Sequence, residues 1–154
     1  MGTHDGRLLV WDVEAPRLLA ECRAHDHQVL GLDVSSDGQF VAVSTEDATA
    51  SIWSLDDLVE QHRVAHASRV VTVTFSPDGC FVATSSEDFT AAVWSRADGR
   101  QLAHLTGHAD SVSAVAYSPD GRYLATSSAD RSIRLWSAGT YELLGELNGH
   151  ADRV

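Results

Sequence analysis

The sequence has few cysteines and no long apolar segment. Cys22 and Cys80 are its two cysteines, too few and too isolated for a disulfide framework or a zinc site. No apolar run approaches the ~20 residues of a membrane helix, and the N-terminal sequence MGTHDGRLLVWDV lacks the basic and apolar regions of a secretory signal. These absences predict an intracellular protein, in the cytoplasm or nucleus, that does not bind membranes.

Positive charge is also scarce. The chain has 11 Lys and Arg residues against 22 Asp and Glu residues, a formal net charge of −11. Because neutralising phosphates supplies most of the affinity for nucleic acids, this balance argues against a nucleic-acid partner. It is compatible with a basic protein partner; the simpler alternative is an acidic surface that keeps the protein soluble.

The sequence does contain an internal repeat. Tryptophans occur at positions 11, 53, 94 and 136, each six residues after an aspartate, and histidines occur at 25, 66, 108 and 150. Both series advance in steps of 41 or 42 residues, and each of the first three histidines precedes a tryptophan by 28 residues. These interlocked spacings predict a repeat protein with a period near 42 residues.

Each repeat has the pattern of short strands joined by tight turns. Segment 112–137 reads as three strands, with a Ser-Pro-Asp-Gly turn at 118–121 and a second turn at 129–131. The first two strands are apolar almost throughout, as in strands covered on both faces, and the fourth is more polar, as at a sheet edge. Such small sheets must stack face to face. The pattern therefore predicts an all-β chain of β-propeller blades, each a four-stranded antiparallel sheet.

The spacing from Gly-His or Ala-His to Trp-Asp or Trp-Ser resembles that of the WD-repeat β-propeller family. Trp11-Asp12 is a literal Trp-Asp pair, whereas the other three tryptophans precede serine, and Ala24 and Ala65 replace the usual glycine. The resemblance implies that residues 1–154 form a partial propeller of about three and a half blades. Its expected parts are a half blade at 1–23, blades at about 28–65, 69–106 and 111–148, and the start of a further repeat at 149–154.

The family is known for a hydrogen-bonded tetrad of His, Ser or Thr, Asp and Trp within a blade. The resemblance places one tetrad at His66, Thr84, Asp88 and Trp94, and a second at His108, Thr126, Asp130 and Trp136. In the preceding blade His25, Asp47 and Trp53 are present, but Val43 occupies the hydroxyl position. We expect that tetrad to be broken, with Thr45 on the wrong side of the strand to repair it.

A His, a hydroxyl and a carboxylate also suggest a hydrolase, but we favour a structural role. A buried chain of hydrogen bonds satisfies every member, whereas a nucleophile must be exposed beside an oxyanion site. No G-x-S-x-G elbow or phosphate-binding glycine loop occurs in the sequence. His25 and His27 around Asp26, or His62 with His66, are weak metal candidates. We therefore expect no catalytic residue, metal or cofactor.

Function should then lie on the surface, and propellers bind partners mostly on the face that carries the d–a loops and b–c turns. Leu30 and Val71 are apolar in this region, and Glu46 and Glu87 carry like charge at equivalent points. The hypothesis is an apolar patch with an acidic rim that binds a basic or amphipathic segment; the alternative is that the apolar pair are buried strand starts. The resemblance implies the following contact positions: Gln28, Leu30, Glu46, Arg69, Val71, Glu87, Ser111, Ser113 and Ala129.

Three functions follow in order. The first is a non-catalytic protein-interaction scaffold, and the second is a propeller segment of a larger signalling or regulatory protein, such as a ubiquitin-ligase substrate receptor. No Trp-Asp-x-Arg sequence supports that receptor role. A hydrolase is a distant third. Because three and a half blades cannot close a ring, we expect a fragment of a longer propeller, self-association, or completion by further blades, with His150 opening a further tetrad.

Overall fold

Within residues 1–12 and 14–149, which are those that the structure describes, the computed structural model contains fourteen β-strands and no helix. His150, the predicted first member of a further tetrad, lies outside these residues. The strands are β1 (Arg7–Asp12), β2 (Arg17–Arg23), β3 (Val29–Val34), β4 (Phe40–Thr45), β5 (Thr49–Ser54), β6 (Glu60–Ala65), β7 (Val70–Phe75), β8 (Phe81–Ser86), β9 (Ala91–Ser95), β10 (Gln101–Leu105), β11 (Val112–Tyr117), β12 (Tyr123–Ser128), β13 (Ser132–Ser137) and β14 (Leu143–Asn148).

These strands form four antiparallel sheets in which each strand pairs with its neighbours in sequence. Strands β1 and β2 form the half blade. Blade 1 contains β3–β6, blade 2 contains β7–β10 and blade 3 contains β11–β14, and the strands of each blade are called a to d in chain order. The predicted all-β fold of four-stranded blades is confirmed.

Burial varies across each blade as the apolar patterning predicts. Strands b and c of blades 1 and 2 are almost entirely buried, because sheets cover them on both faces. The outer strand d is more exposed, and in β14 every residue is exposed. Charged residues are frequent in the outer strands β2 and β6, whereas β14 exposes Leu143, Leu144 and Leu147 to water.

The blades stack through apolar clusters, and each tryptophan of a complete blade packs toward the preceding sheet. Trp94 of blade 2 lies in one cluster with Ala50 and Val64 of blade 1. Trp53 and Trp136 do the same in their blades and are 8% and 5% exposed, whereas Trp11 of the half blade is 49% exposed. The three buried indoles therefore form part of the cores between sheets.

The innermost strands are also hydrogen-bonded between blades. Asp33 of β3 accepts hydrogen bonds from the Thr74 hydroxyl and the Phe75 N–H of β7, at 3.0 and 2.7 Å. The Val115 N–H of β11 donates to the Thr72 hydroxyl at 3.3 Å. These contacts fix each strand a relative to the next, in addition to the apolar packing.

The three a–b turns share one construction. In the turn at 76–79, the Gly79 N–H donates to Ser76 O at 2.8 Å, and the Ser76 hydroxyl donates to Asp78 at 2.5 Å. Gly79 has φ of +69°, a conformation that costs glycine little and side-chain residues about 1 kcal/mol. The turns at 35–38 and 118–121 repeat these bonds.

A glycine pair tests how tightly the half blade is joined to blade 1. A Cβ on Gly6, at φ +80°, would lie 2.0 Å from His25 O, whereas a Cβ on Gly38, at φ +70°, meets nothing within 4 Å. We expect Gly38→Ala to lower the free energy of unfolding by about 1 kcal/mol and Gly6→Ala to lower it by at least twice as much, as measured by urea denaturation. Equal losses would contradict this account of the junction.

Candidate functional site

The predicted tetrad residues of blades 2 and 3 lie together as chains of hydrogen bonds. In blade 2 the Trp94 indole N–H donates to Thr84 Oγ1 at 2.8 Å, and His66 Nε2 lies 2.8 Å from the same oxygen. His66 Nδ1 in turn lies 3.0 Å from Asp88 Oδ2. The network assigns one proton direction: Trp to Thr, Thr to His, and His to Asp.

Blade 3 repeats this geometry closely. Trp136 donates to Thr126 Oγ1 at 3.0 Å, and His108 is 2.9 Å from Thr126 and 2.9 Å from Asp130. The histidine side chains of blades 1 to 3 are 0%, 3% and 1% exposed, so each imidazole is removed from water. In both tetrads, every buried polar side chain has a hydrogen-bond partner.

The aspartate at the end of each chain also fastens two pieces of backbone. Asp88 Oδ2 accepts the Ala67 N–H at 3.0 Å, in the loop that enters blade 2, while Oδ1 accepts the Thr90 N–H at 3.0 Å, in the b–c turn. Asp130 holds Ala109 and Ser132 in the same way. The tetrad thus fixes the incoming d–a loop and the b–c turn at the same end of a blade.

The expectation of a broken tetrad in blade 1 is wrong. Ser51 supplies the missing hydroxyl: its Oγ accepts the Trp53 N–H at 2.7 Å and lies 2.7 Å from His25 Nε2. Val43 of strand b pairs directly with Ser51 of strand c. Blade 1 therefore carries the tetrad hydroxyl on strand c, at the residue that pairs with Val43. The two members of such a cross-strand pair present their side chains on the same face of the sheet.

The placement of Thr45 also corrects the sequence prediction. Thr45 follows Val43 by two residues, so both side chains lie on the same side of the strand. The Thr45 hydroxyl donates to Asp47 Oδ1 at 2.6 Å and lies 3.4 Å from His25 Nδ1. Thr45 therefore hydrogen-bonds to the aspartate of the blade 1 tetrad, whereas Ser51 hydrogen-bonds to its tryptophan and histidine.

The histidine–aspartate contact is longer in blade 1 than in the other blades. His25 Nδ1 lies 3.3 Å from Asp47 Oδ2 and 3.2 Å from Arg63 Nη1, and Arg63 also donates to Ala24 O. Burial lowers the pKa of His25 and of His66, and the positive charge of Arg63 lowers the pKa of His25 further. Both histidines are therefore neutral near pH 7.

Burial alone would raise the pKa values of the tetrad aspartates, but each of these pKa values is lowered. Burial by itself raises the pKa of Asp47, Asp88 and Asp130, but hydrogen bonds from hydroxyl, backbone and imidazole donors outweigh it and lower each pKa. Each carboxylate is therefore held ionised at the blade end. Near pH 7, neutral His25 and His66 therefore face ionised Asp47 and Asp88.

This arrangement has no space for a reacting group. Thr84 Oγ1, for example, lies between Trp94 and His66 on a residue that is 0% exposed. Among residues 1–12 and 14–149, no three His, Cys, Asp or Glu side chains form a cluster that could hold a metal ion. In the same part of the chain, no helix has the length and apolar character needed to span a membrane.

The predicted contact positions lie at the end of each blade that carries the d–a loops and b–c turns, called the loop face. The Glu46 N–H donates to Gln28 O at 3.2 Å, and the Glu87 N–H donates to Arg69 O at 3.0 Å. Ala129 and Ser111 form the equivalent bond at 2.9 Å. In each blade, the predicted contact position before strand a and the one before the turn aspartate are therefore neighbours, joined by one backbone hydrogen bond.

The remaining predicted contact position of each blade is a bulged residue at the start of strand a. The pairing of strands a and b shifts register at Leu30, Val71 and Ser113, one in each blade. Leu30 is 37% exposed and Val71 is half-buried, so the alternative of fully buried strand starts does not describe either residue. Ser113 is engaged with Ser127, whose hydroxyl lies 2.9 Å away. Bulges redirect side chains at the ends of sheets.

The predicted acidic rim contains a cation. The Arg69 guanidinium lies 2.5 Å from Glu46 and 3.8 Å from Glu87, and so it bridges the two glutamates of adjacent blades. All three side chains are partly exposed, and such pairs add little stability. The bridge nevertheless halves the local negative charge. A purely acidic rim is therefore the wrong description of this region.

Sequence reasoning missed the residues at the tips of the b–c turns. Ala48, Phe89 and Arg131 follow the tetrad aspartates and have φ of 69°, 72° and 71°. Phe89 is 46% exposed, an aromatic side chain on a polar turn. The signal in the sequence was the aromatic residue between Asp88 and Thr90, where the half blade has Gly6.

Replacing Ser51 tests the repaired tetrad. We expect Ser51→Ala to lower the free energy of unfolding by about 1–3 kcal/mol, because the buried Trp53 N–H and His25 Nε2 lose their partner. The double variant Val43→Thr/Ser51→Ala restores the strand-b hydroxyl found in blades 2 and 3 and should recover most of the loss. Urea denaturation measures both variants; a double variant no more stable than the single one would refute the exchange.

The pH dependence of stability tests the neutral histidines. Below about pH 6.5 the unfolded chain binds protons that folded His25 and His66 do not, so the free energy of unfolding should decrease, by up to about 1 kcal/mol per histidine over one pH unit. A second loss should begin below about pH 4, where unfolded aspartates become protonated and folded ones stay ionised. Denaturation at several pH values, repeated in about 0.5 M salt, should give the same first loss, since burial is not screened. Unchanged stability between pH 7.5 and 5.5 would contradict the assignment.

Comparison with known proteins identifies the repeats. The family described as "WD domain, G-beta repeat" matches residues 16–54, 59–95 and 99–137, which together are about three quarters of the chain. The chain is also 38% identical over 61 residues to the "Pre-rRNA-processing protein IPI3" of Mycosarcoma maydis. That match covers 40% of the chain and 10% of the relative's length. Domains of this repeat generally bind proteins or peptides. With three matched repeats on three four-stranded blades, the chain belongs to the WD domain, G-beta repeat family.

Proposed function

We propose that the protein is a non-catalytic interaction scaffold that binds a peptide segment of a partner protein on its loop face. The observation that carries the proposal is the equivalent set of partly exposed side chains at one end of three successive blades. Leu30, Val71 and Phe89 supply apolar surface there, and Arg69 with its two glutamates supplies charge of both signs.

Rigid positioning supports this function. Each b–c turn is fixed by a tetrad aspartate, and each turn tip has a positive φ that costs a side-chain residue about 1 kcal/mol. Binding a partner would therefore order few groups that are not already ordered, which favours affinity. Strained residues held by surrounding structure are also frequent at binding sites.

The chemistry of this face favours an extended or amphipathic segment with an apolar anchor. Exposed aromatic side chains with a polar surround are typical centres of binding energy. Because Arg69 already pairs with both glutamates, the partner needs no strongly basic character. The net charge of −11 disfavours nucleic acid as the partner.

An intracellular location fits two free cysteines. A second candidate is that these blades belong to a larger regulatory protein, because the matched segment is a tenth of the relative's length. The name of that relative suggests a role in pre-rRNA processing, which for this chain would be exerted through protein contacts. A hydrolase is not proposed, since the tetrad hydroxyls are buried and occupied.

Two glycine substitutions test the loop face with a matched control. Phe89→Gly removes the aromatic side chain and relieves its positive φ, so folding stability should be unchanged or higher. Ala48→Gly relieves the same strain at the equivalent turn and removes one methyl group. In quantitative pull-downs from cell extract, proteins that bind the loop face should decrease at least tenfold with Phe89→Gly and be retained with Ala48→Gly.

Circular dichroism and thermal denaturation provide the check on folding. If both variants melt as the unmodified protein does and every bound protein is recovered equally, the loop face around Phe89 is not the binding surface. Loss with both variants alike would indicate that turn geometry, and not the aromatic side chain, determines binding, which also contradicts the proposed anchor.

A further inference from the structure

A cleft on the face opposite the loop face separates the a–b turns of blades 2 and 3. Its volume is about 210 Å³, and its walls include Asp78 and Phe81 of blade 2 with Tyr117, Gly121 and Ala138 of blade 3. We call it the turn cleft. It is far larger than the roughly 30 Å³ that one water molecule occupies in the liquid, so it can hold the end of a side chain.

The equivalent position between blades 1 and 2 is filled by an arginine of the chain itself. Arg96 of blade 2 places its guanidinium carbon 4.2 Å from the centre of the Phe40 ring of blade 1. Its Nε–H donates to Gly79 O at 2.6 Å. Hydrogen bonds from Ser35 and Gln39, and then the Arg96 charge, lower the pKa of Asp37 in the same region. This cleft is therefore a working guanidinium site within the molecule.

The two clefts correspond residue by residue. The Arg96 N–H donates to Cys80 O and the Ala138 N–H donates to Arg122 O, both at 3.0 Å, so the backbone puts both residues at the same place in their blades. Phe81 corresponds to Phe40, Asp78 to Asp37, and Gly121 to Gly79. Because Ala138 ends at Cβ, the space that the guanidinium fills in one cleft is open in the other.

One residue that lines the turn cleft has a polar atom without a partner. The hydroxyl of Tyr117 is buried and makes no hydrogen bond within the described part of the chain. Tyr117 stands where the preceding blade has Phe75, so this oxygen is an addition to the turn cleft. Burial, with a smaller effect of Tyr141 and Asp78, raises the pKa of Tyr117, so its hydroxyl is protonated. A buried hydroxyl without a partner is costly, so the wall of the turn cleft at Tyr117 is not optimised for stability alone.

Asp78 is the available carboxylate. Its Oδ1 accepts the Ser76 hydroxyl and the Cys80 N–H at 2.5 and 3.0 Å, and no cation pairs with it within residues 1–12 and 14–149. Asp120, on the other side of the turn cleft, differs because Arg122 lies 3.9 Å from its Oδ2. The negative charge in the turn cleft therefore comes mainly from Asp78.

We propose that the turn cleft binds the guanidinium group of an arginine side chain from a partner protein. The guanidinium stacks on Phe81, donates to Gly121 O as Arg96 does to Gly79 O, and pairs with Asp78. A planar group with five donors fits this combination of ring, carbonyl and carboxylate, whereas a lysine ammonium cannot stack in the same way. The site is on the opposite face from the proposed loop-face interaction and does not depend on it.

NMR titration of the whole chain with two short peptides tests the site directly. The probes are acetyl-Ala-Arg-Ala-amide and the same peptide with citrulline, which keeps the shape of arginine and removes its charge. We expect saturable shifts at Phe81, Tyr117 and Gly121 with the arginine peptide, and at least tenfold weaker binding of the citrulline peptide. Absence of saturable shifts at these residues, or equal binding of the two peptides, would overturn the proposal.

Two reciprocal variants assign the site. Ala138→Arg should place an internal guanidinium in the turn cleft and weaken peptide binding at least tenfold, while Arg96→Ala should empty the first cleft and add a second set of shifts at Phe40 and Gly79. Amide spectra confirm that each variant is folded. Undiminished binding by folded Ala138→Arg refutes the site; if that variant does not fold, the absence of new shifts in Arg96→Ala refutes it.

Discussion

The chain of hydrogen bonds from tryptophan through a hydroxyl and a histidine to an aspartate is the interaction on which the other features depend. It runs from the indole, in the core between two sheets, to the carboxylate, at the end of the blade. The carboxylate holds the loop that enters the blade and the b–c turn at once. One network thus links the packing between sheets to the position of the d–a loop and to the shape of the loop face. The indole, hydroxyl and imidazole groups hydrogen-bond to one another in the interior, so the network holds the parts of the blade together.

Much of the fold could be predicted from the sequence because the tetrad residues are spaced regularly along it. Tryptophan, histidine and aspartate recur with the blade, and the Ser-x-Asp-Gly turns mark the hairpins between strands a and b. Ser51 escaped prediction because the sequence was read along strand b, and the replacement hydroxyl lies across the sheet on strand c. Arg69 was predicted as a contact position, but its ion pairs with Glu46 and Glu87 were not, because its long side chain crosses from one blade to the next, a distance that no local pattern encodes.

Small differences between equivalent residues give each blade its own surface on a shared frame. The position after Trp-Ser is Leu55, Arg96 or Ala138 in the three blades, and the same backbone hydrogen bond is made each time. Leu55 joins the apolar cluster beside the half blade, and Arg96 lies on Phe40. Ala138 leaves its cleft unfilled. Function in such a repeat is determined at the variable positions, while the tetrad keeps the frame constant.

The exchange between Val43 and Ser51 has an evolutionary consequence. Two facing positions can each provide the oxygen that the indole and imidazole require, so a sequence with hydroxyls at both would keep the network when either one is lost. A blade can therefore change the strand that carries this group in two substitutions without passing through an unsatisfied core. Evolution would then keep the hydrogen-bond contact while changing the residue that provides it. A sequence profile that considers strand b alone would describe such a blade as lacking the tetrad.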